Sequence, residues 1–387
     1  MDSEIPNFGD LLQQIRTKLW IAGINYECPQ NYYRFYILIV NLTIVASQEV
    51  LFFIKYATFD NFLKITQVIP CTCTCIITLV KCSSLLIKRK EINELANYLQ
   101  ELYDLILMDE KKKKLVRKEM IFIKKMIKTL NILNLVLIVI YNFSSPFLML
   151  FIYMRKNEVI YDLPFPVATP FEIDWWLPWL IEYFLSIIAG FYCVLLFVTF
   201  DATYFLLSTT VYINFTVLAE TIRKLNGKGS TKALKDVIQQ HQHIIRLSKI
   251  LDDIFNVPNF FNVMLGSLEI CFLGFTIMMG TWTQIPQCVF LLFSILLQLL
   301  MMSYFGENIM TESRKVGDAA FQCCWYSMDE QSKKNIQFII SRSQKPQHLT
   351  GYKITKISYA SFTTIISKSW SYFSILRTVY KAPSSST

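Results

Sequence analysis

The sequence alternates long apolar runs with charged stretches that keep a helical period. The apolar runs that predict membrane spans are Phe35–Ile54, Phe62–Ile87, Thr129–Met154, a run that begins at Leu177, Phe260–Gly280, Cys288–Tyr304 and Ile354–Leu376. About 20 apolar residues cross the hydrocarbon core as a helix, so each run is long enough for one span. The fourth run stays apolar past Phe215, and we interpret its part beyond Asp201 as a helix that leaves the membrane and remains packed. The prediction is an all-α polytopic membrane protein with seven transmembrane helices.

The charged stretches between the runs predict amphipathic helices that pack on partners. In 88–128 the apolar faces are Ile92, Leu95, Leu99, Leu102 and Ile106, followed by Val116, Met120, Ile123 and Ile127. In 211–257 the face comprises Leu234, Val237, His241, Ile244, Ser248, Leu251 and Phe255. Near the N-terminus it comprises Phe8, Leu11, Leu12, Ile15 and Leu19, which we interpret as a helix lying on the membrane surface.

The distribution of Lys and Arg predicts the orientation of the spans. Residues 88–128 carry twelve of these cations, and 211–257 and 307–353 carry seven each, whereas 155–176 carries two. Because cationic loops stay on the cytoplasmic side, the N-terminus is predicted inside and the C-terminus outside.

This topology predicts five segments. They are a cytoplasmic lead at 1–34, spans one to six with their cytoplasmic extensions at 35–306, a cytoplasmic anchor segment at 307–353, the seventh span at 354–380 and an extracellular tail at 381–387.

Composition excludes several classes of function. Hydrophobic residues make up 53% of the chain and charged residues only 17%, so a soluble protein is not expected. The net charge of +9 is concentrated in loops and does not indicate nucleic-acid binding. The sequence contains no nucleophile–base pattern and no phosphate-binding glycine loop, so an enzyme is not predicted. Cys71, Cys73 and Cys75 are two apart, as are His241 and His243, and such side chains diverge on a helix, so no metal or cofactor is predicted.

Two ionisable residues fall inside predicted spans. Glu49 lies in the first, where an acid is either functional or solvated near the outer interface. Lys81 lies near the end of the second, where its ammonium is expected to snorkel to the headgroups.

The seventh span carries many hydroxyl side chains. Ser361, Thr364, Lys368, Ser371 and Ile375 recur at steps of three and four and share one helix face. Polar side chains at membrane depth face either other helices or a wet cavity. Two interpretations therefore stay open, a pore-lining stripe and ordinary helix packing.

Ordered motifs in the last eighty residues resemble the C-terminal signature of insect odorant receptors. They are Ser313–Ala319, Cys324–Tyr326, Arg342–Pro346, Leu349–Gly351 and Tyr372–Arg377. One departure is Gly351 directly after Thr350, where many members are expected to have an intervening Ala. The predicted orientation, with the N-terminus inside, does not depend on these motifs, and it agrees with the resemblance.

The resemblance implies a subunit of a tetrameric, odorant-gated, non-selective cation channel in the plasma membrane of sensory dendrites. Its partners would be a shared co-receptor in a heterotetramer, a small volatile ligand and membrane lipid. The family pattern places the gate at Ile375 and a polar pore residue at Thr378, with Ser371, Lys368 and Thr364 on the same pore face. The short connection between the fourth and fifth spans implies a ligand-tuning subunit rather than the co-receptor.

The resemblance also implies a ligand pocket in the outer half of the bundle, but no motif carries its residues over. Depth in the spans alone nominates Ile69, Phe147, Phe151, Tyr183, Ser186, Ile187, Met278 and Trp282. An apolar pocket with a few hydroxyl groups suits a volatile ligand.

Three other classes were weighed against this prediction. A gustatory receptor shares the architecture but not the block at Arg342–Pro346. A secondary transporter should show inverted repeats or paired intramembrane charges, which the sequence does not show convincingly. A G-protein-coupled receptor would need an extracellular N-terminus, opposite to the predicted orientation.

Overall fold

The computed structural model describes residues 6–24, 32–57, 62–225, 231–280 and 284–380, and within them the chain is almost entirely helical. The helices are α1 (Phe8–Ile21), α2 (Tyr33–Lys55), α3 (Phe62–Ile87), α4 (Arg89–Leu107), α5 (Glu110–Lys156), α6 (Trp176–Arg223), α7 (Thr231–Met279), α8 (Ile285–Gln322), α9 (Glu330–Ser343) and α10 (Tyr359–Val379). A short 3₁₀ helix covers Trp325–Ser327. Strands β1 (Thr350–Gly351) and β2 (Thr355–Lys356) form an antiparallel hairpin in which Thr350 pairs with Lys356.

Four helices are much longer than a bilayer is thick. α5, α6, α7 and α8 have 47, 48, 49 and 38 residues. At 1.5 Å per residue they extend over roughly 55 to 75 Å, about twice the hydrocarbon core or more. The prediction that the fourth span continues as a packed helix is therefore confirmed. The second amphipathic helix of 88–128 is likewise continuous with the third span, as part of α5.

Six helices of the described chain are long and apolar enough to cross a membrane, by length and composition: α2, α3, α5, α6, α7 and α8. Much of their apolar surface points outward; Phe143 of α5, for example, is 64% exposed. Such a surface is expected for helices that meet lipid. α10 has 21 residues, about 31 Å, but its hydroxyl groups keep it out of that apolar set.

The core of the long-helix bundle is α6. Every residue from Val198 to Phe215 is buried, as expected for a central helix. Several polar side chains in this stretch bond within the helix; Thr203, for example, donates a hydrogen bond to the Thr199 carbonyl. α6 packs extensively on α8 and α5. The rings of Phe205 and Phe305, for instance, lie 4.9 Å apart. Each fully buried ring contributes about 2 to 3 kcal/mol of transfer free energy. The apolar faces predicted for 88–128 and 211–257 are buried here, except that Leu102 is only partly covered.

The interpretation of α1 as a surface helix is wrong. Its apolar face is buried within the protein, against α6 and α4, with Phe8 and Leu19 fully covered. Phe8 contacts the ring of Tyr103, and Arg16 donates hydrogen bonds to Asn93 and Asn97. An amphipathic helix buries its face wherever an apolar surface is available, and the sequence of α1 alone does not distinguish protein from lipid.

The hairpin and α10 are docked by short-range contacts. The Asp252 carboxylate accepts hydrogen bonds from the Thr350 amide at 2.6 Å and its hydroxyl at 2.8 Å. A Cβ at Gly306 of α8 would collide with the Ile357 carbonyl, so glycine permits the close approach of the chain before α10. Ser358 caps α10 by accepting a hydrogen bond from the Ser361 amide.

Candidate functional site

A cavity of about 710 Å³ lies between α3, α5, the connection from α5 to α6, and the adjoining ends of α7 and α8. We call it the outer cavity. Most of its lining side chains are aromatic or aliphatic, and its volume falls within the range of small-molecule sites. A hydrogen bond from Gln67 Nε2 to Gln284 Oε1 of 2.9 Å lies in its wall. An apolar space with few polar groups can hold a small, mainly apolar molecule.

The connection between α5 and α6 forms the roof of the outer cavity. The Asp162 carbonyl accepts hydrogen bonds from Ser145 Oγ at 2.5 Å and Trp179 Nε1 at 2.6 Å. Phe165 stacks on Tyr141 of α5 with ring centroids 5.8 Å apart. Side chains of both flanking helices thus hold the roof in place, which the sequence did not predict.

A second, smaller space of about 90 Å³ adjoins the outer cavity on the side of α2 and α6. We call it the inner pocket. The two share Cys71, Tyr141 and Phe165, so these side chains separate the two spaces. Besides these shared residues, its lining consists of aliphatic and small side chains and one acid, Glu49.

Glu49 resolves an alternative that the sequence left open. Its side chain is 1% exposed and lines the inner pocket, so it is not solvated at the outer interface. Among the described residues, its Oε2 atom has no hydrogen-bond partner. A polar atom buried in this way is costly unless something satisfies it.

Two of the eight nominated pocket residues line the outer cavity, Phe147 and Phe151. Both follow Tyr141 on one face of α5, at steps that a search for helical periodicity along the third span would have found.

Five other nominated residues lie in the described chain but line neither space. Ile69 packs against Cys73, Ile77 and Leu265. Tyr183 stacks on Trp179 at 5.0 Å and donates a hydrogen bond to the Asn142 carbonyl. The other three are Ser186, which is buried, Ile187, which is partly buried, and Met278, which is 43% exposed. Trp282 lies outside the described residues. Depth alone selects a level in the membrane but not the helix face that turns to the cavity.

A buried ion pair lies deeper in the bundle. Lys81 Nζ is 2.8 Å from Asp201 Oδ1, and Gln298 Nε2 donates to Asp201 Oδ2 at 2.9 Å. The ammonium also lies over the Phe197 ring, 3.4 Å from its centroid. The expected snorkelling of Lys81 is wrong, since the side chain is fully buried. A charge at this depth is retained when a partner on a neighbouring helix compensates it.

The predicted pore face of α10 is exposed, with no covering contact from the described part of the chain. Its exposed residues are Thr364, Lys368, Ser371, Ile375 and Thr378. The opposite side is covered by the bundle, where Ser369 Oγ donates to the Ser267 carbonyl at 2.9 Å. Packing against other helices of the same chain therefore does not account for this face.

Comparison with known proteins identifies the family. The family model described as 7tm odorant receptor matches residues 61–369, well over half of the chain. "Putative odorant receptor 92a" of Drosophila melanogaster is 25% identical over 367 residues, covering 90% of this chain and 88% of the relative. "Odorant receptor 85c" of the same species is 30% identical over 178 residues, covering 45% and 46%.

Solved structures support the same fold. The insect olfactory receptor OR5 from Machilis hrabei superimposes with a TM-score of 0.84, at 16% identity, over 97% of this chain and all of that one. The structure of the same receptor in complex with eugenol gives a TM-score of 0.82 over the same shares. The chain is therefore a multi-pass membrane protein that belongs to the 7tm odorant receptor family.

Proposed function

We propose that this chain is the ligand-tuning subunit of an odorant-gated, non-selective cation channel, assembled with a shared co-receptor in the plasma membrane of a sensory dendrite. The observation that carries the proposal is the roofed outer cavity, which is apolar, large enough for a volatile molecule and lined by several helices. The eugenol complex of OR5 supports a small organic ligand in this fold. The family supports the co-receptor as the partner.

The face of α10 supports the channel part of the proposal. A helix whose exposed side carries Thr364, Lys368, Ser371, Ile375 and Thr378 has no lipid-like surface there. Four such faces around an axis would enclose a polar conduit, with Ile375 as an apolar constriction near its outer end. In the proposed orientation, residues 1–34, 88–128, 211–257 and 307–353 lie in the cytoplasm.

The first experiment records currents from cells that express this chain with the co-receptor under a panel of volatiles. An odorant-evoked cation current that needs both subunits and persists under G-protein blockade is expected. Tyr141→Ala removes a ring that lines the outer cavity and stacks on Phe165 of the roof, so it should shift the concentration for half-maximal response by tenfold or more. The control Phe143→Ala removes a 64% exposed ring from the same helix and should leave the response unchanged. Equal effects of both variants would refute the cavity as the ligand site.

A second experiment tests the pore face. Ile375→Ala should raise the current in the absence of ligand, because a smaller side chain widens an apolar constriction. Trp370→Ala is the control, since Trp370 is 69% exposed but lies outside that face. An unchanged resting current in Ile375→Ala at normal surface expression would count against the pore assignment.

The orientation has its own test. An epitope at the N-terminus should be stained only after the cells are permeabilised, and one after residue 380 should be stained on intact cells. The reverse pattern would exclude the proposed topology and the cytoplasmic segments with it.

A further inference from the structure

Glu49 is a buried acid with an unused acceptor atom. It is 1% exposed on α2, and Thr72 and Cys75 of α3 approach its carboxyl group. Even so, Oε2 has no hydrogen-bond partner, and none of the ion pairs in the described part of the chain includes Glu49. The buried cation Lys81 is paired with Asp201 instead.

Glu49 is one of the residues that form the wall of the inner pocket. The rest of that wall is mainly aliphatic, from Leu42, Val45 and Ile138 to Leu291. An unsatisfied buried acceptor costs free energy in the empty protein, and a donor placed against it removes this cost. The pocket therefore favours an occupant whose polar end donates a hydrogen bond to Glu49.

The sizes of the two spaces set the shape of that occupant. The inner pocket, about 90 Å³, has room for roughly three groups of the size of a water molecule. It adjoins the outer cavity of about 710 Å³ through Cys71, Tyr141 and Phe165. A ligand that fits both spaces has a small polar head and a larger apolar body.

We propose that Glu49 makes this receptor selective for ligands with a terminal hydrogen-bond donor, a hydroxyl or amino group carried on an apolar body. The proposal rests on the function proposed above, because it assigns the ligand class to the same cavity. It differs from a general preference for volatiles, since an ether, ester or hydrocarbon of equal size has nothing to donate to Oε2.

Two other buried acids provide a comparison for Glu49. Glu182 of α6 is 1% exposed, and its Oε1 likewise lacks a partner among the described residues, but Glu182 lines neither the outer cavity nor the inner pocket. Glu269 of α7 is 2% exposed, but its carboxylate accepts a hydrogen bond from Thr74 Oγ1 at 3.0 Å. It lines neither the outer cavity nor the inner pocket. Its replacement serves as a control for the loss of a buried acid that lies behind the pocket wall, since its partner Thr74 lines the inner pocket.

The first test measures binding to the purified chain, so that it does not depend on gating. Ligands of one apolar body that end in a hydroxyl, a primary amine or a methyl ether are compared by the rise they cause in melting temperature with concentration. Satisfying a buried acceptor that otherwise has no partner is worth roughly tenfold in affinity, so the donor-ended ligands should bind about tenfold more tightly than the ether. Equal binding of all three, or no stabilisation by any donor-ended ligand at its solubility limit, overturns the proposal.

The second test uses variants in the same assay, with folding checked by size-exclusion profile. Glu49→Leu should abolish the preference for donor-ended ligands over the ether, while Glu269→Gln should retain it. Glu49→Gln keeps a carbonyl acceptor but no charge. A loss of amine binding with hydroxyl binding largely kept would identify an amine as the natural class, whereas retention of both would show that an uncharged acceptor is enough. A preference that survives Glu49→Leu contradicts the proposal.

Current recordings separate this inference from the proposed function. Donor-selective binding without any ligand-evoked current would refute the channel role and leave the assignment of Glu49 intact. Ligand-evoked current without donor selectivity would support the channel role and refute the assignment of Glu49.

Discussion

Replacing Lys81 with methionine removes one half of the buried ion pair that joins α3 to α6. The ammonium is fully buried, bonded to Asp201 at 2.8 Å and placed over Phe197, while the Asp201 side chain is 12% exposed. Breaking a buried pair by removing one partner costs roughly 3 to 5 kcal/mol, because the remaining charge is left uncompensated. Gln298 still donates to Asp201 and the carboxylate has some exposure, so we expect the lower end, about 3 kcal/mol.

The assay is denaturant-induced unfolding of the purified chain in detergent, followed by tryptophan fluorescence. Lys315→Met is the matched control, because its ammonium contacts Glu312 at 2.6 Å on the surface and is 47% exposed. Such a pair contributes less than about 1 kcal/mol. The double variant Lys81→Met with Asp201→Leu should recover most of the lost stability, since neither charge remains buried. A Lys81→Met effect no larger than that of Lys315→Met, or a double variant less stable than the single one, would refute the reasoning.

Three further predictions use the same unfolding assay. Gly306→Ala should cost about 1 to 3 kcal/mol, because the new methyl group overpacks against the backbone before α10. Gly274→Ala should be neutral or slightly stabilising, because its new methyl group meets only ordinary contacts. Equal effects would contradict the close approach of the Ile357 backbone to Gly306. Asp252→Ala should cost about 1.5 to 3 kcal/mol, because it loses its hydrogen bonds to the hairpin, whereas Asp253→Ala loses an exposed ion pair and should cost under about 1 kcal/mol. The reverse order would contradict the docking of the hairpin by Asp252. Burial lowers the pKa of His241, which lies outside the predicted spans, to about 4. As the pH falls, the unfolded chain therefore takes up a proton before the folded one does, and the free energy of unfolding should decrease by roughly 3 kcal/mol between about pH 6.5 and pH 4. His241→Gln should flatten this pH dependence, and an unchanged pH dependence would refute the role given to His241.

The helices and their buried faces were largely predictable from residue pattern. The heptad-like face of α4 and the face of α7 from Leu234 to Phe255 are buried as their periodicity indicated. The reason is that helical period places side chains on one side of an element whatever that element later contacts. The pattern does not show which surface the buried face contacts. For this reason the sequence alone placed the apolar face of α1 against lipid, although it packs on α4 and α6.

The candidate site was predictable only in part. Phe147 and Phe151 were found because they lie at the right depth and on the right face of α5. Ile69 and Met278 lie in the predicted spans but face elsewhere, because the rotation of each helix about its axis is set by its neighbours. The roof from Asp162 to Phe165 has no periodic signal, and its position depends on hydrogen bonds to side chains distant in sequence.

The sequence by itself determined the class of this protein: its helical spans, its packed extensions and the hydroxyl face of its last helix. These depend on hydrophobicity, period and local motifs, which act over a few residues. Only the tertiary structure decided that Lys81 is paired with Asp201, 120 residues away, and that Glu49 faces an apolar pocket with one oxygen unpartnered. Whether a buried charge is compensated depends on which side chains other helices bring within about 3 Å of it, and helix packing sets that distance.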